Sequence, residues 1–289
     1  MKTIREEFEL KDGISFPGKT YVEELLKPVF EDQKKHLYEA MFNIHEAHTT
    51  MLAEQGILTK DECQIILKGI QEVKSLQTSE ISYSSQYEDL FFLVESRIGE
   101  HIGDELAGKM HIAKSRNDMG EAMYRIVLRD YIKHAIQDAE QLNKVILLQA
   151  EQHTESIMPA HTHTQPAQPT TFGHYLVAIY DNLSRDIKRL KQAYQTVNQS
   201  PMGAAAITTT GFPINRERMV ELLEFDGLIE NSYDAIGTGD YLIEAAQALI
   251  SLMTNMGRWL QEFLRMASKE VGLIKVSDAY IQISSIMPQ

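Results

Sequence analysis

The sequence has 289 residues, with 28 lysines and arginines against 41 aspartates and glutamates, so its formal net charge is -13. This length is ample for a buried core, and the acidic balance argues against a protein that binds a nucleic-acid groove. The single cysteine, Cys63, excludes an intrachain disulfide and favours a reducing compartment. We find neither a signal peptide nor a run of apolar residues long enough to cross a membrane, and we therefore expect a cytoplasmic protein.

The sequence pattern before residue 104 predicts short helices. The stretch LTKDECQIILKGIQEV contains a capping box, with Thr59 three residues before Glu62, and Gly103 is a plausible helix end. We predict an N-terminal helical domain over residues 1–103 and a second domain over residues 104–289. The HEAH stretch at 45–48 lacks the i,i+4 histidine spacing of a zinc protease helix, and we interpret it as a solvated helix face.

Three long helices are predicted in the second domain, over about 117–154, 169–199 and 240–270. Apolar residues recur there at intervals of three and four, with Pro169 in the tolerated first turn of its helix. The predicted fold class is therefore all-α, an elongated bundle of long helices. We expect partners beyond this chain to cover part of the apolar stripes.

The segments that join these helices carry the candidate functional groups. Ser115, Arg116 and Asn117 combine a hydroxyl, a guanidinium and an amide with the free N–H groups of a helix start. This combination is suited to binding a carboxylate or a phosphate. The alternative is that Ser115 or Asp118 only caps the helix and that Arg116 is a surface charge.

The stretch HTHTQPAQPTT places His161 and His163 two residues apart in an extended segment, so that both imidazoles could share one face. A zinc site is a weak alternative, because no further ligand follows at metal-binding spacing, and we expect no metal. His163, between Thr162 and Gln165, fits an acid/base group among hydrogen-bonding neighbours.

The chain ends on SSIMPQ, where Ser284 and Ser285 belong to no recognisable hydrolase triad and no G-x-S-x-G elbow.

Taken together, four segments resemble the argininosuccinate lyase family of the fumarase/aspartase superfamily. They are AGKMHIAKSRND (107–118), PAHTHTQPAQPTTFGHYL (159–176), SPMGAAA with FPINRERMVELLEFDGLIENSYDA (200–235) and SSIMPQ (284–289). The resemblance implies that the serine loop continues into Lys-Lys-Asn-Pro, further bundle helices and a small C-terminal domain. We therefore interpret the sequence as a fragment that lacks this C-terminal domain.

The resemblance also implies an activity, an anti elimination that breaks a carbon–nitrogen bond in an N-substituted aspartate and releases fumarate. By resemblance, Ser284 would be the general base and His163 the acid for the leaving nitrogen. Ser115, Asn117 and Thr162 would hold the succinyl carboxylates, supported by Arg116 and Gln165. No cofactor is implied, and family members are homotetramers whose active sites are shared between subunits.

The sequence departs from the family pattern at several positions. Phe91, Lys114, Met119, Gly239 and Ile283 stand where the family has histidine, arginine, glutamine, arginine and glycine. We expect these positions near the part of the site that recognises the arginine moiety. The open alternatives are a superfamily lyase with another substrate, of the adenylosuccinate or carboxymuconate type, and a non-catalytic structural homologue.

Overall fold

The computed structural model describes residues 3–76 and 78–287, which group into two compact units. Unit 1 comprises residues 1–130 and 195–239, and unit 2 comprises residues 131–194 and 240–289. Two long helices contribute to both units: α8 (Arg116–Gln152) has 37 residues and α9 (Phe172–Val197) has 26. At 1.5 Å per residue, α8 is about 55 Å long.

Unit 1 is built mainly from short helices. They are α1 (Ile4–Asp12), α2 (Lys19–Tyr21), a π-helical turn (Val22–Leu26), α3 (Lys27–His36), α4 (Tyr38–Glu54), α5 (Lys60–Lys74), α6 (Leu90–Ile102), α7 (Asp104–Met110), α10 (Arg216–Leu222) and α11 (Ser232–Gly237). A short parallel pair joins β3 (Gln199–Ser200) to β4 (Gly227–Leu228).

One hydrophobic cluster forms the core of unit 1. It includes Phe42 and Met51 of α4, Ile70 of α5, Val94 of α6 and Met123 of α8, each at most 3% exposed. The apolar residues of each helix recur on one face, and burial of these faces against one another removes them from water. The predicted capping box at the start of α5 is present, because Thr59 Oγ1 accepts the Glu62 N–H and Glu62 accepts the Thr59 N–H.

Unit 2 contains the remainder of α8 and α9, the hairpin of β1 (Ile157–Thr162) and β2 (Gln165–Thr171), and α12 (Asp240–Met266). Its buried side chains include Leu183 and Leu190 of α9 and Leu252 of α12. The buried Asp186 carboxylate accepts hydrogen bonds from Ser251 Oγ at 3.0 Å and Asn255 Nδ2 at 2.8 Å. A buried charge is tolerated when its acceptor sites are satisfied in this way.

The structure confirms the all-α fold class and the three long helices, with different bounds. The segment from Pro169 to Thr171 belongs to β2 rather than to the first turn of α9, so the predicted start of that helix was wrong. Proline tolerates the extended conformation of a two-stranded edge, where its missing N–H costs nothing, and Pro169 lies opposite Pro159. The domain boundary near residue 104 stays a prediction.

Within residues 3–76 and 78–287, no helix combines the length and the apolar character that crossing a bilayer requires.

A glycine in the first turn of α9 gives a test of packing in unit 2. A Cβ atom on the buried Gly173 would lie 2.6 Å from the Ala150 carbonyl oxygen and 2.9 Å from that of His153. These are backbone atoms and cannot rotate away, so we expect Gly173→Ala to destabilise the protein by about 1–3 kcal/mol. The exposed Gly257 in α12 has open space around its Cα, and Gly257→Ala is expected to stabilise by about 0.5–1 kcal/mol. Urea unfolding midpoints that shift equally for both variants would contradict this.

Candidate active site

The turn at the N-terminus of α8 holds Ser115, Arg116 and Asn117 in unit 1. Ser115 Oγ accepts the Asn117 N–H at 3.2 Å, and Asp118 Oδ1 accepts the Ser115 N–H at 2.7 Å. These reciprocal bonds resemble a capping box, in which side chains satisfy the free N–H groups of the helix start. The alternative that Ser115 and Asp118 cap this helix is therefore correct as a description of the local structure.

Arg116 is not a free surface charge. Its guanidinium donates to Asp89 Oδ2 at 2.9 Å, lies 3.2 Å from Glu88 Oε1 and stacks over the Phe92 ring at 5.0 Å. Both carboxylates are thereby partly neutralised next to the turn, and the guanidinium is fixed in place.

Asp118 connects this turn to the SPMGAAA segment. Its second carboxylate oxygen accepts the N–H groups of Gly203 at 3.1 Å and Ala205 at 3.2 Å. Burial raises the pKa of the Asp118 carboxyl, and the three N–H donors and the nearby Lys114 act in the opposite direction. The carboxylate thus joins two motif segments that are 85 residues apart in sequence.

A buried cluster of ionisable groups lies beneath the same turn. His45 and His48 of α4 are 0% and 1% exposed, so the interpretation of 45–48 as a solvated face was wrong. Lys114 Nζ lies 2.8 Å from His45 Nδ1 and 3.1 Å from Glu95 Oε1. The histidine–lysine cluster is our name for His45, His48, Glu95, His111 and Lys114. A signal was present in the sequence, since both histidines share the apolar stripe of α4.

The protonation states of this cluster follow from burial. Burial lowers the pKa of His48 to about 3, with a smaller effect from the Lys114 charge, and burial likewise lowers the pKa of His45 well below its usual value. Burial alone would raise the pKa of Glu95, but the hydrogen bond from His111 and the Lys114 charge outweigh it and lower this pKa to about 2. Burial lowers the pKa of the Lys114 ammonium, while the charge and the hydrogen bond of Glu95 act in the opposite direction. At neutral pH the interior of the cluster therefore holds two neutral imidazoles beside the Lys114–Glu95 pair.

The hairpin in unit 2 brings Thr162, His163 and Gln165 together at its tip. Thr162 pairs with Gln165, and His163 and Thr164 form the two-residue turn with φ values of 52° and 64°. Positive φ at both central residues defines a type I′ turn, which usually contains Asn or Gly. The predicted extended geometry ends before His163, which lies in the turn, where the alternation of a strand does not apply.

The side chains at the hairpin tip are exposed, and those of His161 and His163 line a cavity of about 400 Å³ in unit 2. Glu262 and Arg265 of α12 line the same cavity and form an ion pair at 2.6 Å. Among the described residues, no group of three or more His, Cys, Asp or Glu side chains is arranged to hold a metal ion.

Ser284 lies in the C-terminal segment of unit 2 and is partly buried, whereas Ser285 is exposed. The Ser284 Oγ atom accepts the N–H groups of Met287 at 2.9 Å and Ile286 at 3.3 Å. Donors that point at an oxygen favour its negatively charged form. The two serines therefore differ chemically, although they are adjacent in sequence.

The positions that depart from the family pattern differ in burial. Phe91 and Met119 lie in the hydrophobic core of unit 1 at 1% and 0% exposure, and Lys114 belongs to the histidine–lysine cluster. Gly239 and Ile283 are exposed. Phe91 and Met119 are enclosed in this core, and the expectation that these positions lie near a bound amine stays a prediction.

Comparison with known proteins identifies the family. The sequence model of the lyase family matches residues 29–289. The chain therefore belongs to this lyase family. The resemblance to the argininosuccinate lyases of the fumarase/aspartase superfamily, predicted from the motifs, is confirmed by the relatives described next.

Argininosuccinate lyase 2 of Agrobacterium fabrum is 42% identical over 279 residues, which cover 96% of this chain and 55% of that protein. Argininosuccinate lyase of Methanosarcina barkeri is 42% identical over 88% of this chain and 51% of its own length. A solved structure of an EDDS lyase variant with bound fumarate superposes with a TM-score of 0.84 at 31% identity, covering 98% of this chain and 56% of that one. The chain spans about half the length of the curated relatives it matches.

Proposed function

We propose that the protein containing this chain is an argininosuccinate lyase or a close relative, which eliminates an amine from an N-substituted aspartate and releases fumarate. The observation that carries this proposal is the 42% identity to argininosuccinate lyase 2 over 96% of the chain. The two amide donors on Ser284 Oγ support it, because they favour the oxygen form that a base requires.

In the proposed reaction, Ser284 Oγ takes the proton from the carbon next to the carboxylate that is distant from the nitrogen. The electron pair of the broken C–H bond forms the double bond of fumarate, and the pair of the C–N bond leaves with nitrogen. His163, directly or through a water, gives that nitrogen a proton. Charge builds up on the carboxylate beside the carbanion, so donors that are already in position lower the barrier.

Ser115, Asn117 and Thr162 are the donors that we assign to the two carboxylates, with Arg116 and Gln165 in support. The exposure of Asn117 and Thr162 agrees with this assignment, since a binding group must be reachable. Arg116 is already bound to Asp89, which suits a residue that orients the turn rather than one that contacts the substrate.

We further propose a cytoplasmic homotetramer in which several subunits contribute residues to each active site. Large apolar side chains on α12 support this, because they are exposed in the single chain. They are Leu242, Ile243, Ile250, Met253, Leu260 and Leu264, each at least 45% exposed. Association would remove this surface from water.

A second candidate is a lyase of the same reaction type that releases another amine. The 31% identity and TM-score of 0.84 to an EDDS lyase favour it. Fumarate release from argininosuccinate and from EDDS by the full-length protein, followed by ultraviolet absorbance, separates the two candidates. Adenylosuccinate and carboxymuconate serve as further substrates for the remaining superfamily alternatives.

His163→Asn in the full-length protein tests for an enzyme against a non-catalytic structural homologue. An enzyme is expected to lose about 10²–10⁴-fold in kcat with its assembly intact, because general acid catalysis is removed. The exposed His134→Asn on α8 is the matched control and should leave kcat unchanged. A folded wild-type protein that releases no fumarate from argininosuccinate, EDDS or adenylosuccinate would contradict the proposed function.

A further inference from the structure

We propose that Lys114 is a positioning residue, which holds the turn of Ser115–Asn117 in the conformation that binds the substrate carboxylates through its contacts with Glu95 and His45. This inference rests on the proposed function for the identity of the substrate. The position of the turn itself can be measured without any activity.

The first support is the geometry of Lys114 within the histidine–lysine cluster. The Lys114 side chain is 0% exposed, and its Nζ contacts His45 Nδ1 at 2.8 Å and Glu95 Oε1 at 3.1 Å. As an ammonium, Lys114 only donates hydrogen bonds, so His45 Nδ1 accepts and the His45 proton is on Nε2, a buried atom without a hydrogen-bond partner among the described residues. The second oxygen of Glu95 lies 2.9 Å from His111 Nδ1. The ammonium is thus held from two helices, α4 and α6.

The second support is that the chain on both sides of Lys114 is anchored. His48 Nε2 lies 2.8 Å from the Ile112 carbonyl oxygen, which can only accept, so His48 donates. Between these anchors Ala113 has a φ of 60°, a conformation that costs energy for a residue with a Cβ atom. On the other side, Asp118 holds the Ser115 N–H at 2.7 Å. The backbone from 112 to 115 is therefore fixed at three successive points.

The third support is energetic. An apolar pair of similar volume is often as stable as a buried ion pair, or more so, because burial of two charges carries a desolvation cost. Stability alone therefore gives no reason for a lysine at this buried position. The need for a fixed geometry does explain a buried lysine, because its two contacts determine where Ser115 and Asn117 lie. A displacement of about 1 Å in an active site costs about 100-fold in rate.

The test uses the double variant Lys114→Met/Glu95→Gln in the full-length protein. Both charges are removed together, so no uncompensated buried charge is left to unfold unit 1. We expect KM for the fumarate-releasing substrate to rise at least about tenfold and kcat to fall as well, because the displaced donors both bind the substrate carboxylates and stabilise the charge that develops on them. Backbone amides 115–118 should exchange hydrogen faster than in the wild type, while the amides in the middle of α8 should not.

The matched control is Arg97→Met/Glu100→Gln, which removes an exposed arginine–glutamate pair 3.2 Å apart on α6. It should leave both KM and amide exchange unchanged. An unchanged KM and unchanged exchange in the Lys114 double variant would overturn the proposal. A lowered melting temperature with unchanged KM would do so as well, because it would show a role in stability only.

Two further results keep the test decisive. If the double variant does not fold, His45→Leu replaces it, because this change removes one anchor of Lys114 and leaves the ion pair in place. Unchanged KM and unchanged exchange at 115–118 in His45→Leu would overturn the proposal. If the wild type releases no fumarate, the proposed function fails, and the exchange rates alone decide whether Lys114 positions the turn.

Discussion

Ser284→Ala is expected to lower kcat for fumarate release by about 10²–10⁴-fold, the usual contribution of a positioned general base. The Oγ atom of Ser284 accepts two backbone N–H groups, from Ile286 and Met287, which would stabilise it as an alkoxide. Alanine removes the hydroxyl oxygen and leaves Cβ as a methyl group. KM should change little, because Ser284 is not among the residues that we assign to carboxylate binding.

Ser285→Ala is the control for this prediction, since it removes the same atom from the adjacent, exposed residue. Its kcat should remain within about threefold of the wild type. Both variants are to be measured in the full-length protein, by ultraviolet absorbance of fumarate, with melting temperatures to confirm folding. A Ser284→Ala protein that keeps its kcat, or equal losses in both variants, would show that Ser284 is not the base.

Mild acid is expected to destabilise unit 1 through its buried histidines. The pKa of His48 is about 3 in the folded protein against an ordinary value of 6.5. Between pH 6.5 and pH 3 the unfolded chain therefore binds a proton at His48 that the folded chain does not. The contribution of neutral His48 to the free energy of unfolding has its full value above pH 6.5 and is lost as the pH falls toward 3. For His48 alone the loss between pH 7 and pH 5 is about 2 kcal/mol.

The groups around His48 oppose its protonation or favour it only weakly. Burial is the largest cause of the lowered pKa, and the Lys114 and His111 charges add to it, while the Ile112 carbonyl and Glu95 act in the opposite direction. His45 adds to the acid sensitivity in the same direction, since its pKa is also lowered by burial.

His48→Gln tests this prediction, because glutamine keeps an N–H donor for the Ile112 carbonyl but does not titrate. Urea unfolding at pH 7 and pH 5 should show a loss of stability that is about 2 kcal/mol smaller in His48→Gln than in the wild type. His134→Gln, on the exposed face of α8, should match the wild type at both pH values. Equal pH dependence in all three proteins would contradict the assignment of a buried neutral His48.

The β1–β2 hairpin shows which structural features the local sequence predicts and which it does not. Prolines 166 and 169 correctly indicated an extended segment, but the position of His163 depends on which residues pair across the strands. A two-residue turn of His and Thr with positive φ has none of the usual turn residues, so the sequence does not predict it. The same pairing displaced the start of α9 from Pro169 to Phe172.

The sequence by itself determined the helical class, the three long helices, the family and the segments that carry the candidate groups. These depend on local periodicity and on motif order, which are readable along one chain. Only the tertiary structure decided that His45 and His48 are buried, that Phe91 and Met119 belong to the core, and that Lys114 contacts His45, 69 residues away in sequence. Burial and pKa depend on what packs against a residue from distant parts of the chain, and local sequence does not specify those neighbours.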